Sequence, residues 1–354
     1  MTDADSRYSD PSPHAAFIAG LPKVELHVHH VGSASPAIVA ELAGRHPGTV
    51  PTDPDALRDY FTFRDFDHFI ERYLAVANLV VTTEDVRLLT YGVATEMAAQ
   101  GIRYAELTAT PITSVLAGIP IEGFVEAMED GRVAAERDHG IRIGWIFDIP
   151  GEVVPNGSEE TARLAVDHGP DSLVGFGLGG PEVGTTRPRH KPAFDRARAA
   201  GLHSVPHAGE STGPQTIWDA LEALGAERIG HGTSATEDPA LLAHLAEHQI
   251  PIEVCPTSNI ATRCVDTYDV HPLRQMVEAG LLVTINSDDP HFFGTTLCRE
   301  YEIAATMLDL DEAGIAQLAR NAVNASFLPP ADKLALDTEI DTYLASHQAL
   351  KSGG

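Results

Sequence analysis

Basic residues are scarce in this chain of 354 residues, which has 24 Lys and Arg against 51 Asp and Glu and a formal net charge of −27. Because proteins bind nucleic-acid backbones mainly through clustered Lys and Arg, this balance argues against a nucleic-acid partner, and it disfavours an anionic membrane surface for the same reason. The chain also lacks any run of about 18 consecutive apolar residues, so no transmembrane helix is expected. A small molecule bound in a pocket is the expected partner, and a homo-oligomer is left open.

Cysteine is rare as well. Cys255, Cys264 and Cys298 show no CxxC spacing, which argues against a disulfide framework and favours free thiols in a reducing, cytoplasmic environment. The first residues, MTDADSRYSDPSPH, contain no basic segment followed by an apolar one, so no secretory signal is expected. We interpret residues 1–20 as a flexible N-terminal arm and residues 21–354 as one domain.

Short apolar segments alternate with helical stretches along this domain. Eight segments read as strands, and most of them are followed by a helix, a pattern typical of a parallel sheet. The predicted strands are residues 23–29, 102–107, 141–149, 172–178, 202–207, 228–231, 250–255 and 281–287. Eight such units predict an α/β fold with a single (β/α)₈ TIM-type barrel, with extra helices around residues 54–100 and at the C-terminus.

Polar residues gather at the ends of four of these strands. The first strand ends in His27 and His29, the fifth in His207 and the sixth in His231, while Asp288 belongs to the end of the eighth. The active site of such a barrel is built at the carboxyl ends of its strands. We therefore expect these side chains to lie close together at one rim.

Four of these residues form a candidate metal site. His27 and His29 are two apart on a strand and share a face, where two imidazoles are costly unless they are paired or bind a metal. With His207 and Asp288 they offer three nitrogens and one oxygen, a set that suits one Zn²⁺ per subunit, with Fe²⁺ and Co²⁺ as alternatives. A water in the remaining position would have its pKa lowered toward about 7.

Two neighbouring groups are candidates for proton transfer. Glu210 could shuttle the proton, and His231 could orient or deprotonate the water. Any one of these histidines alone would be read as an ordinary core or surface residue, and only their joint placement favours a metal site. The ordinary interpretation is kept for His30, His190, His203 and His291.

Six segments carry a family resemblance across nearly the whole chain after the first 20 residues. They are ELHVHHVGS, GLGGPE, PHAGE, RIGHGTS, EVCPTSN and NSDDPHFF. Together they resemble the adenosine deaminase family of the amidohydrolase superfamily. The resemblance implies hydrolytic deamination at the 6-amino carbon of a purine nucleoside, with release of ammonia.

The same resemblance implies a role for each matching position. The zinc ligands would be His27, His29, His207 and Asp288. Glu210 would protonate purine N1, and His231 would orient and activate the water. Asp289 would hydrogen-bond purine N7, and the backbone N–H of Gly180 would meet N3.

The chain departs from the family pattern at two positions. Val31 stands where the family has an Asp that binds the ribose 5′-hydroxyl, and Gly177 stands where the family motif IDLAGDE has its Asp. Val31 suits an adenosine whose 5′ carbon carries a bulky extension in place of the hydroxyl. 6-Aminodeoxyfutalosine, an intermediate of menaquinone biosynthesis, is such a compound, and HVHHVGSASP resembles the branch of the family that deaminates it.

The 5′ extension of that compound ends in a carboxyphenyl group, for which the sequence offers candidate contacts. An aromatic-rich stretch could enclose the ring, although a helix that packs its aromatic face on the barrel is the simpler interpretation. The stretch contains Phe61, Phe63, Phe66, Phe69 and Tyr73. Arg64, Arg72 or His30 could meet the carboxylate.

Two other functions are left open. The first is an adenosine or adenine deaminase of purine salvage. The second is a catalytically silent barrel that binds a nucleoside, which predicts at least one altered ligand or acid among the six positions; the sequence retains all six.

Overall fold

The computed structural model of the chain describes Tyr8 and residues 10–64, 66–151 and 156–352. Eight strands follow one another around a single sheet, and every neighbouring pair is parallel. They are β1 (Lys23–His29), β2 (Ile102–Ala109), β3 (Arg142–Ile149), β4 (Leu173–Leu178), β5 (His203–Ala208), β6 (Ile229–His231), β7 (Ile252–Val254) and β8 (Val283–Ile285). The predicted (β/α)₈ barrel is confirmed.

Helices separate the strands and surround the sheet. In chain order they are α1 (Ala15–Gly20), α2 (Pro36–Arg45), α3 (Pro54–Tyr60), α4 (Phe66–Ala77), α5 (Thr83–Ala99), α6 (Pro111–Leu116), α7 (Ile121–His139), α8 (Gly157–His168), α9 (Lys191–Ala199), α10 (Gln215–Asp219), α11 (Pro239–His248), α12 (Pro256–Ala261), α13 (Leu273–Glu278), α14 (Pro290–Phe293), α15 (Leu297–Leu308), α16 (Glu312–Ala325) and α17 (Pro330–Ser352). The expected extra helices are α3, α4 and α5 together with α16 and α17. None of the helices among the described residues is long and apolar enough to cross a bilayer.

The strands form where short apolar runs are buried on both faces, as parallel sheets require. All of β1 is buried except its last residue, His29. The turn after β1 leads into α2, where the Ser35 side chain accepts a hydrogen bond from the backbone N–H of Ile38 and Pro36 occupies the first helical position.

The barrel closes at a seam between β1 and the residues that follow β8. Val28 and Asp288 form a single bridge there. The backbone N–H of His29 donates to the Asp288 carbonyl (2.9 Å), and the Asp288 N–H donates to the His27 carbonyl (3.1 Å). The last strand is therefore tied to the first beside the candidate ligands.

Both β7 and β8 have three residues, although the sequence predicts six and seven. Beyond β8, a side chain replaces the backbone pairing: Oδ1 of Asn286 accepts from the backbone N–H of Leu26 (2.9 Å) and of His27 (3.2 Å). Beyond β7, Cys255 precedes α12 directly. The apolar runs thus extend past the regular ladder.

The predicted N-terminal arm, residues 1–20, lies partly outside the described residues. In its described part, α1 packs on the barrel, with Phe17 and Ile18 buried. Two apolar side chains on one short helix explain this docking, which the polar character of the first residues does not indicate. The boundary at residue 20 stays a prediction.

Candidate active site

Four side chains from three parts of the sheet converge at the carboxyl end of the barrel. His27 and His29 come from β1, His207 from β5, and Asp288 from the seam after β8. One donor atom from each lies within 4.8 Å of the others. Oδ1 of Asp288 is 3.2 Å from Nε2 of His29 and 3.6 Å from Nε2 of His27.

This cluster fits a bound cation. Nε2 of His27 and Nδ1 of His207 are buried and have no hydrogen-bond partner among the described residues. Burial lowers the pKa of His27, but the neighbouring carboxylates of Asp288 and Glu253 outweigh this effect and raise that pKa to about 10. A site that attracts a proton so strongly suits a divalent metal bound by three imidazoles and one carboxylate.

Glu253, in the middle of β7, orients the first candidate ligand. Its Oε2 accepts a hydrogen bond from Nδ1 of His27 at 2.9 Å, which leaves Nε2 as the free nitrogen that faces Asp288. Its Oε1 accepts from Nε of Arg228 at 2.5 Å, and Arg228 also pairs with Glu106. The sequence analysis did not identify this buried network, although acidic residues within otherwise apolar strands are a signal for it.

Glu210 lies beside the cluster in the loop after β5. Its Oε2 is 3.6 Å from Nε2 of His231. Burial, together with the negative charges of Asp288 and Glu182, raises the pKa of Glu210 to about 8. A carboxyl group that keeps its proton near neutral pH is suited to act as a general acid.

The loop that carries Glu210 is held by a second buried carboxylate that the sequence analysis missed. Glu182 accepts hydrogen bonds from the backbone N–H groups of Gly209 (2.8 Å) and Ser211 (2.6 Å), on either side of Glu210. Arg187 neutralises Glu182 at 3.0 Å and also donates to the His207 carbonyl. The glutamate of GLGGPE therefore fixes the backbone that positions both His207 and Glu210.

A chain of hydrogen bonds fixes the proton of His231. The backbone N–H of Leu273, which can only donate, donates a hydrogen bond to Nδ1 of His271 (3.1 Å), so Nδ1 carries no hydrogen. Nε2 of His271 must then donate to Oδ1 of Asn259 (3.1 Å), and Nδ2 of Asn259 donates to Nδ1 of His231 (3.2 Å). His231 therefore carries its hydrogen on Nε2, the nitrogen that faces Glu210 and Asp288.

Asp289 and Gly180 both border the cavity at this site. Oδ1 of Asp289 is buried and has no partner among the described residues. A Cβ on Gly32 would lie 1.7 Å from that oxygen, so only glycine leaves room for the carboxylate. Gly180 has a φ of +77°, a backbone conformation that favours glycine.

A cavity of about 180 Å³ opens above these groups. Its walls include the aromatic side chains of Phe69, Tyr73 and Phe293 and the polar side chains of Thr110 and Asp148. Asp148, at the end of β3, is buried, and this burial raises the pKa of its carboxyl group. Neither Phe293 nor Asp148 was singled out from the sequence.

The other predicted 5′ contacts lie elsewhere. Val31 is half-buried, packs on the hydrophobic core, and is not among the described residues that line the cavity. His30 is buried and bonded to Thr90 (3.0 Å), so the prediction that it meets a carboxylate is wrong, because its ring faces the helix layer.

The two candidate arginines do not line the cavity either. The guanidinium group of Arg72 lies 4.1 Å from the ring centre of Tyr60, and Arg64 is exposed. Phe61 and Phe63 pack against Phe292 and Phe293, respectively, at the mouth of the barrel. The side chain of Phe66 lies outside the described residues.

Comparison with known proteins gives a consistent family. A sequence model described as "Adenosine deaminase" matches residues 22–343. The chain is 64% identical over 334 residues to a protein of Streptomyces avermitilis named aminodeoxyfutalosine deaminase, which covers 94% of this chain and 93% of that protein.

Solved structures agree with the sequence comparison. An adenine deaminase from Arthrobacter aurescens superimposes with a TM-score of 0.87 at 31% identity, covering 92% of this chain and 99% of that one. An amidohydrolase from Burkholderia ambifaria with bound Zn superimposes with a TM-score of 0.86 at 26% identity, covering 99% and 96%.

Proposed function

Because the chain belongs to the adenosine deaminase family, we propose that it is a zinc-dependent hydrolase that deaminates 6-aminodeoxyfutalosine to futalosine in menaquinone biosynthesis. The observation that supports this choice of substrate is the 64% identity, over 94% of the chain, to a protein named aminodeoxyfutalosine deaminase. The adenine deaminase among the solved structures is far less similar, at 31% identity. The free cysteines support a cytoplasmic enzyme.

One Zn²⁺ would be held by His27, His29, His207 and Asp288. The donor set of three nitrogens and one oxygen supports zinc, as does the bound Zn of the similar amidohydrolase. When bound, the metal would lower the pKa of a coordinated water and so supply the nucleophile for hydrolysis at neutral pH. Glu253 would keep the proton of His27 on Nδ1 and leave Nε2 free for the ion.

The residues around this site would bind the purine by its nitrogen atoms. Asp289, whose buried Oδ1 has no partner among the described residues, would donate a hydrogen bond to N7 in its protonated form. Burial and the negative charge of Asp288 raise the pKa of Asp289 to about 7, which supports this role. The backbone N–H of Gly180 would meet N3. Glu210 would face N1 and direct C6 toward the metal site.

Each step of the reaction has a residue suited to it. Glu210 gives its proton to N1 as water adds to C6, so that C6 becomes tetrahedral without negative charge on the ring. His231 donates from Nε2, because Asn259 occupies its Nδ1, and therefore orients the water rather than accepting a proton on that nitrogen. One proton of the added water restores Glu210, the other passes to the amino group as the C6–N bond breaks, and ammonia leaves while a carbonyl remains at C6.

The mouth of the cavity suits an aromatic 5′ extension. Phe69, Tyr73 and Phe293 provide apolar ring faces beyond the purine site. Aromatic pairs with centroids between about 4.5 and 7 Å gain stabilisation beyond simple burial, and the centroids of Phe69 and Phe293 are already 5.1 Å apart. A phenyl ring placed among them would extend this cluster.

A direct comparison of substrates tests the proposal. We would measure kcat/KM on zinc-loaded protein for 6-aminodeoxyfutalosine, adenosine, 5′-methylthioadenosine and adenine. We expect 6-aminodeoxyfutalosine to lead by at least tenfold. A lead for adenosine or adenine would overturn the substrate assignment and indicate a purine-salvage enzyme, and nucleoside binding without any deamination would indicate a silent barrel.

A further inference from the structure

Asp148 is a buried carboxylate at the end of β3 that has no part in the chemistry described above. It is 4% exposed and borders the cavity. One of its oxygens, Oδ1, accepts a hydrogen bond from Oγ1 of Thr110 at 2.5 Å. That contact fixes the carboxylate and leaves the acceptor capacity of Oδ2 for another donor.

Two glycines, one on the neighbouring strand β4 and one just after it, make room for this side chain. Gly177 pairs with Asp148 across β3 and β4, and a Cβ on Gly177 would lie 3.3 Å from Cβ of Asp148. A Cβ on Gly179 would lie 3.1 Å from Oδ2 of Asp148. The sequence at this point therefore leaves space in which the carboxylate reaches the cavity.

The strand register places Asp148 between the levels of two candidate metal ligands. His29 pairs with Thr108, and Ala109 with Phe147, so Thr110 and Asp148 come two residues after the level of His29. On the other side, Asp148 pairs with Gly177 and Gly177 with Val205, so His207 comes two residues after the level of Asp148. Asp148 therefore lies beside the metal site, on the β3 side of the cavity.

The orientation of the purine brings the sugar to the same side. With N7 on Asp289 after β8 and N3 near Gly180 after β4, the N9 bond points toward the part of the rim formed by β1, β2 and β3. Val31, after β1, has no acceptor in its side chain. Among the lining residues that follow β1 or belong to β2, β3 and their loops, Tyr73, Thr110 and Thr113 offer hydroxyl groups and Asp148 offers a carboxylate.

We propose that Oδ2 of Asp148 accepts a hydrogen bond from a ribose hydroxyl of the nucleoside, and that Asp148 makes the enzyme selective for ribonucleosides. The inference rests on the proposed function, because it uses the purine orientation assigned there. It adds a specificity residue on β3, with Thr110 as its positioning residue.

The test pairs changes in the protein with changes in the sugar. The substrates are 5′-deoxyadenosine, 2′,5′-dideoxyadenosine, 3′,5′-dideoxyadenosine and adenine, and the variants are Asp148→Ala and Asp148→Asn. The control is Asp195→Asn, which removes an exposed carboxylate paired with Lys191 on α9. Zinc content is measured on each protein beside kcat/KM.

We expect the wild type to lose roughly 10- to 100-fold in kcat/KM when the contacted hydroxyl is removed, the range for a hydrogen bond to a charged group. Asp148→Ala should have a kcat/KM for 5′-deoxyadenosine that is lower than that of the wild type by a similar factor. On the dideoxynucleoside that lacks the contacted hydroxyl, the variant and the wild type should have nearly equal kcat/KM. Its activity on adenine and its zinc content should match those of the control.

Two results would overturn the inference. One is a wild type that treats all three nucleosides alike. The other is an Asp148→Ala variant whose kcat/KM is lowered equally for every substrate or whose zinc content is lower, which would show that the carboxylate acts on His207. If the wild type deaminates no substrate, the proposed function fails, and calorimetric binding of the same nucleosides to the wild type and Asp148→Ala decides the inference about Asp148.

Discussion

Replacing Glu253 with Gln should loosen the metal site through a residue that does not touch the metal. Glu253 accepts one hydrogen bond from Nδ1 of His27 and another from Nε of Arg228. A glutamine has one acceptor oxygen and one donor NH₂, so it cannot serve both donors. Either the NH₂ faces His27 and forces its proton onto Nε2, or it faces Arg228 and opposes another N–H.

The expected size of the effect follows from these two possibilities. Loss of such an outer partner of a metal-binding histidine typically costs 10- to 100-fold in metal affinity, or about 1.4–2.7 kcal/mol. Removing a partner from a buried ion pair costs up to about 3–5 kcal/mol of folding stability. Because Arg228 keeps its pair with Glu106, we expect a value near the lower end.

Glu106→Gln is the matched control. It removes the opposite partner of Arg228 and leaves the contact between Glu253 and His27 unchanged. Competition with a chromophoric chelator measures zinc affinity, and urea titration measures stability. Both variants should lose stability, while only Glu253→Gln should lose zinc affinity by tenfold or more; equal zinc affinities in the two variants would refute the reasoning.

Three further predictions concern single side chains. Glu210→Gln should keep its zinc, as metal analysis would show, but lose about 10²–10⁴-fold in kcat, because N1 can no longer be protonated; near-normal turnover would contradict the role of Glu210. Asn259→Asp removes the donor to Nδ1 of His231 and should lower kcat with little change in KM and shift the pH–rate profile. ¹⁵N spectra should show the His231 proton on Nδ1 in place of Nε2. An unchanged tautomer would refute the hydrogen-bond chain. Glu300, on α15, is fully buried, and this burial raises its pKa from 4.5 to about 7, so its stability contribution is present below about pH 4.5 and is lost as the pH rises through 7. Urea titrations at pH 5 and pH 8 should show Glu300→Gln losing about 2.5 kcal/mol less than the wild type between the two pH values, and parallel losses would contradict the assignment.

The barrel and the convergence of its polar strand ends were predictable because both depend on local patterns. Apolar runs separated by helical stretches fix the order of the units, and strand ends in a parallel barrel meet at one rim. His27, His207 and Asp288 could thus be brought together without knowledge of any distance.

The supporting groups were not predictable, because their partners are far away in sequence. Glu253 lies in a strand that reads as apolar, and its contact with His27 spans 226 residues. Glu182 positions a loop 27 residues ahead of it, and Asn259 and His271 act on His231 only after the chain folds. The prediction that Val31 lies near the 5′ end of the substrate rests on a family pattern and stays a prediction, and that pattern gave no sign of Asp148 and Thr110, which border the cavity.

The seam of the barrel has a consequence for synthesis of the chain on the ribosome. Leu26 and Asn286, which are bonded across the seam, are 260 residues apart, so the contact that completes the sheet is among the most distant in the sequence. A nascent chain that has emerged only as far as β7 holds three of the four candidate metal donors and exposes two unpaired strand edges. Metal capture in the full geometry would therefore follow emergence of the last strand, so that a loaded chain is one whose barrel has closed.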